Sequence, residues 1–140
     1  MADIRYRVQA ELENIDKIIR DMPVNTTLSS LSTLELAGVG ALLNSFYNGL
    51  ENIIKQIILS RKLPLPTGET WHKDLVEIAC TESIISESTK DGFKEYLAFR
   101  HFFSHGYTFD LDPARIDPLV SKIESIYKAF KNDLELALGN

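Results

Sequence analysis

The sequence predicts an all-α fold, an antiparallel four-helix bundle with one additional short helix. Three observations carry that prediction. Four long segments repeat apolar residues at three- and four-residue spacing, turn-forming residues separate them, and nowhere do apolar and polar residues alternate as in a half-buried strand. With 140 residues, 44% of them hydrophobic and 25% charged, the chain can bury a core in one domain spanning residues 1–140.

The first helix is read from Ile4, Val8, Leu12, Ile15, Ile18, Ile19 and Met22, and Pro23 ends it. Asn25 to Ser30 reads as a connection able to supply a capping hydroxyl. A second, longer helix carries Leu31, Leu34, Val39, Leu42, Phe46, Leu50, Ile53, Ile54, Ile57 and Ile58, and the Pro64, Pro66, Gly68 loop stops it. Trp71 to Cys80 forms the short helix, and the polar run Ser83 to Ser88 reads as solvated surface and loop. From about Lys90 to Ser104 a third long helix sets Phe93, Tyr96, Leu97 and Phe103 at core spacing. The last helix, opened by Asp112-Pro113 or Asp117-Pro118, keeps Ile116, Leu119, Val120, Ile123, Ile126, Tyr127, Phe130, Leu134 and Leu138 on one face.

Composition narrows the function classes. The lone Cys80 has no intramolecular disulfide partner and joins no metal-type cysteine cluster, which points to a reducing compartment. Neither a signal peptide nor a membrane span is visible, so the cytoplasm is the expected location. A net charge of -5 argues against a protein that coats nucleic acid nonspecifically. An RNA enzyme on such a chain needs a local basic cleft, for which Lys90, Lys94, Arg100 and Arg115 are candidates.

Chemistry concentrates in Arg100 to Tyr107, where two of the three histidines, an arginine and a tyrosine fall within eight residues. On a regular helix Arg100 and His105 stand roughly 140° apart and about 7.5 Å along the axis, so they do not share a face. Either the helix ends or distorts near Gly106, or a second copy of the chain supplies its own pair across a two-fold axis; the homodimer is the favoured route. Arginine and histidine suit metal-free RNA cleavage. A neutral imidazole takes the ribose 2′-OH proton, an imidazolium protonates the leaving 5′-oxygen, and a guanidinium holds the phosphorane. DNA, without the 2′-OH, would resist.

The string Arg100, four residues, His105, one residue, Tyr107 resembles the R-x-x-x-x-H-x-Y motif of the HepT toxins, within the HEPN superfamily of helical ribonucleases. His101 fits that family's preference for a polar residue after the arginine. The resemblance implies a dimeric, metal-independent endoribonuclease toxin with no cofactor, acting on cellular RNA and paired with a nucleotidyltransferase antitoxin of the MNT type. It makes Arg100 and His105 catalytic, His101 auxiliary, and Tyr107 the hydroxyl to which the antitoxin attaches AMP. An added phosphate at the mouth of a phosphate-binding cleft would block and repel the substrate.

Other readings stand beside this one. Ser104 is a further auxiliary candidate, and Glu51, beside Asn48 and Asn52, is a candidate to point inward and orient the catalytic arginine or histidine. His101 and His105 have the i, i+4 spacing of a metal pair, with Asp110 and Asp112 as further ligands, although no metalloprotease-type context accompanies them. Trp71 and His72 open the short helix, where a large aromatic closes one end of the bundle; neither is placed among the catalytic residues. The alternative function is a non-catalytic, HEPN-like adaptor subunit that binds substrate for a nucleotidyltransferase.

Overall fold

A computed structural model describes residues 2–106 and 110–139, and these are helical with no strand among them. The order is α1 (Ala2–Asp21), a short 3₁₀ helix (Asn25–Ser30), α2 (Thr33–Ser60), α3 (Trp71–Thr81), α4 (Glu87–Ser104) and α5 (Pro113–Ala137). No helix among the described residues is long and apolar enough to cross a membrane.

At 28 residues, α2 is the longest helix and packs against α1, α3, α4 and α5. Its burial therefore exceeds a single stripe. Phe46, Tyr47, Leu50, Ile53, Ile54, Ile57 and Ile58 are all at most 1% exposed, because neighbours cover the helix from several sides. Ser32 starts it with a reciprocal capping box, its Oγ accepting from the Glu35 N–H while the Glu35 carboxylate accepts from the Ser32 N–H. Leu34, expected in the apolar stripe, is instead exposed. It lies nine residues from the buried Leu43, about 180° around the helix.

Two stretches read as loop carry structure. Residues 25–30 wind into the 3₁₀ helix, which buries Leu28 and packs on α5, and Asn25 Nδ2 donates to the Asp117 carboxylate at 3.2 Å. Between α3 and α4, Ile84 and Ile85 are core residues despite their polar surroundings. The chain turns back at Ser83, whose φ is 59°, and the Ser86 Oγ then caps α4 by accepting from the Thr89 N–H at 3.2 Å. Consequently α4 begins at Glu87, one turn ahead of the expected Lys90.

Asp112 caps α5 through the Ala114 N–H, with Pro113 at the first helical position; Pro118 lies inside the helix. The Tyr96 hydroxyl ties α4 to α5 by donating to the Leu119 carbonyl at 2.6 Å, and the Tyr127 hydroxyl ties α5 to α1 through Asp16 at 2.7 Å. Phe46 fills the space between these two tyrosines, edge-on to both rings. Gly40 lets the end of α4 settle onto α2, since a Cβ there would meet the Phe103 ring at 2.7 Å and the Leu111 side chain at 2.8 Å.

Phe46 is fully buried, so Phe46→Ala should lower the unfolding free energy by about 3–5 kcal/mol. Ser32→Ala should cost about 1 kcal/mol, the loss of a helix cap. Urea denaturation of the two variants checks the ratio.

Candidate functional site

The site begins with a polar line on an apolar helix. Asn44, Tyr47, Asn48 and Glu51 follow each other at spacings of three, one and three, which places them along one side of α2. Glu51 is only 2% exposed. Burying a carboxylate without partners is costly, and its partner is His72 at the start of α3, whose Nδ1 lies 2.8 and 2.9 Å from the two carboxylate oxygens. An ionised carboxylate only accepts, so Nδ1 carries the proton and Nε2 is the ring's remaining polar atom. Trp71 packs on the His72 ring at 3.5 Å between centroids and receives the Lys55 ammonium on its own ring.

One turn before Glu51, the Asn48 Oδ1 accepts from Arg100 Nε at 2.9 Å. Fixing the guanidinium through Nε leaves its two Nη groups as a donor fork for an anion. Beside these anchors Tyr47 is buried, with its hydroxyl directed at the Glu51 carboxylate. Burial above all, then the Glu51 carboxylate, pushes the Tyr47 phenol well up from its ordinary pKa, while Arg100 pulls the other way.

These groups share a groove of about 760 Å³ between α3 and α4. Tyr47, His72, Arg100 and His101 line it, and Lys73, Lys90 and Lys94 bring further positive charge to its walls. Glu69 and Glu77 line it as well, and Glu77 pairs with Lys90 at 3.2 Å. Of the basic residues expected to gather, Lys90, Lys94 and Arg100 do so. Arg115 does not, and lines a different groove with Glu95, Asp110 and Asp112.

The end of α4 explains the rest of the motif. Gly106 has a φ of 92°, a left-handed conformation that stops the helix, and the last backbone bonds tighten to His105 N–H on Phe102 O and Gly106 N–H on Phe103 O. The His101 carbonyl thereby accepts side chains, from His105 Nδ1 at 2.7 Å and from Ser104 Oγ at 3.2 Å. Since a carbonyl cannot donate, His105 too carries its proton on Nδ1, and Nε2 remains for chemistry on an exposed ring. The His105 ring lies 4.1 Å from that of His101.

The residues of the expected site separate. No hydrogen bond joins Arg100 to His105 within the chain, because Arg100 is drawn back to α2 and His105 folds onto its own helix end. Glu51 does point inward and orient a histidine, but the histidine is His72, a residue left out of the expected site. The four residues weighed as an alternative metal grouping, His101, His105, Asp110 and Asp112, are engaged elsewhere in part. His105 Nδ1 is occupied by a carbonyl, Asp112 caps α5, and no group of three or more His, Cys, Asp or Glu suited to a metal occurs among the described residues. Tyr107 lies outside the described residues.

The protein is thus an all-helical chain with a cationic, histidine-bearing groove suited to a phosphate-bearing ligand. The family model described as HepT-like protein matches residues 38–137, from α2 to the end of α5, and the chain belongs to that family, within the HEPN superfamily. No curated protein and no solved structure matches the chain.

In ¹⁵N-detected NMR of the three histidines, His72 and His105 should both appear as Nδ1–H tautomers in their neutral forms. The buried phenols add an alkaline signature. Tyr47, Tyr96 and Tyr127 have folded-state pKa values raised above the ordinary value of about 10, mainly by burial. The folded chain therefore holds protons that the unfolded chain releases, and their contribution to stability, fully present below pH of about 10, is lost progressively above it. Thermal melts from neutral pH upward should show that fall only beyond this point.

Proposed function

We propose that this protein is a metal-independent endoribonuclease toxin that cleaves cellular RNA through Arg100 and His105. The carrying observation is the end of α4, where a guanidinium pinned by Asn48 and an exposed imidazole pinned through Nδ1 stand five residues apart in a chain of the HepT-like family. Arg100 holds the phosphodiester through its Nη fork and stabilises the charge of the phosphorane; the Nε2 of His105 exchanges the proton. His101 and Ser104 serve as auxiliary groups, since the carbonyl of one and the hydroxyl of the other meet at the His105 ring's anchor.

The working form is a homodimer. Arg100 faces α2 and His105 sits on the exposed helix end, so two copies meeting at the ends of α4 combine two of each residue in one cleft. The partner that silences it is an MNT-type nucleotidyltransferase that attaches AMP to Tyr107, one residue beyond the left-handed Gly106. Negative charge added there repels the RNA backbone. In this reading residues 1–140 act as one domain in the cytoplasm, without cofactor.

The test is cleavage of total RNA by purified, antitoxin-free protein in excess EDTA, with mass spectrometry verifying that Tyr107 is unmodified. Wild type should cut and leave 2′,3′-cyclic phosphate ends. Arg100→Ala and His105→Ala should each lose about 10²–10⁴-fold in rate while melting like wild type. Inert wild-type protein with unmodified Tyr107 would instead indicate the adaptor function.

A further inference from the structure

The α3/α4 groove holds a second imidazole that the Arg100–His105 reading does not use. His72 lines the same groove as Arg100, and the two are held by residues one turn apart on α2, Glu51 and Asn48. Neighbours at that helical spacing have Cβ atoms about 5–6 Å apart, so the two anchors lie side by side. The buried Tyr47 hydroxyl lies with them, influenced by both Glu51 and Arg100.

We propose that His72 is a catalytic residue of the same ribonuclease site, the proton donor to the leaving 5′-oxygen of the RNA strand held by Arg100. The inference rests on the ribonuclease reading. The buried Glu51 carboxylate accepts from Nδ1 and neutralises the charge of the protonated ring, which presents its second N–H at Nε2. In the homodimer of that reading His105, pinned by a neutral carbonyl, is the complementary acceptor. In the step, the ribose 2′-oxygen attacks phosphorus and its proton passes to His105 Nε2. The bond from phosphorus to the 5′-oxygen breaks, and that oxygen takes the proton of His72 Nε2. The products are a 2′,3′-cyclic phosphate and a 5′-hydroxyl, and proton exchange with water restores both rings.

A missing acid can be told from a missing structural contact by the leaving group. In His72→Asn the new side-chain amide can still donate to Glu51, as Nδ1 does, and only Nε2 is lost. The variant is assayed on an RNA dinucleotide and on a nucleoside 3′-(4-nitrophenyl phosphate), whose leaving group needs no proton. We expect the dinucleotide rate to fall about 10²–10⁴-fold and the aryl ester rate to stay within about threefold of wild type. His105→Ala should lose both. Glu51→Gln, which keeps an acceptor for Nδ1 but not its charge, should show the same leaving-group pattern with a smaller loss.

Equal losses on both substrates in a variant that melts like wild type would overturn the acid role, as would an undiminished dinucleotide rate. Should His72→Asn fail to fold, Glu51→Gln carries the same comparison. Wild-type protein inert on both substrates would remove the ribonuclease reading itself and this role with it, an outcome visible before any variant is assayed.

Discussion

A carboxylate buried in the helix that packs on the other four α-helices has to be answered, and here His72 of α3 answers Glu51 of α2. Removing a charge from water costs several kcal/mol, so any docking of α3 that left Glu51 unpaired would be heavily penalised. The apolar contacts of Leu75, Val76 and Ala79 hold α3 in the core, but apolar burial is not directional. It is the hydrogen-bonded pair that selects the register in which the His72 ring reaches the groove. Asn48, one turn away, does the equivalent for α4 by accepting from Arg100. Two polar side chains on one helix thus place the heads of two others, an imidazole and a guanidinium.

That arrangement would be a poor choice if stability alone were at stake, since a well-packed apolar pair can serve a buried site as well as an ion pair does. Tyr47 makes the same point, a phenol fully buried beside the Glu51 carboxylate. A cationic groove on a chain of net charge -5 is a local concentration of positive charge, the kind that favours an anionic ligand.

The helices are legible because burial repeats with the helical period, and the errors fall where that signal is diluted. Ile84 and Ile85 are two apolar residues among Ser and Glu, too few to show a period, and only the Ser83 turn and the Ser86 cap fold them inward. Leu34 is misleading because its apolar character falls out of phase with the buried stripe. The Arg100 to Tyr107 motif can be read because its residues are neighbours in sequence. His72 and Glu51 are 21 residues apart, and no local pattern links a histidine beside a tryptophan to a carboxylate on another helix. One signal is present: Asn44, Asn48 and Glu51 recur at i, i+4 and i+7 in a segment otherwise rich in Leu and Ile, which marks a polar line along a buried helix.

The two pinned imidazoles are alike in geometry and unlike in chemistry. Both are fixed through Nδ1, which sets the tautomer and leaves Nε2 for reaction, but the acceptors differ. The acceptor of His72 is a carboxylate with a full negative charge, whereas that of His105 is a backbone carbonyl dipole, and the His105 ring is exposed to water. The difference arises from two local features: a charged residue placed inside an apolar helix, and a glycine whose left-handed turn accompanies the tightened helix end that frees the His101 carbonyl.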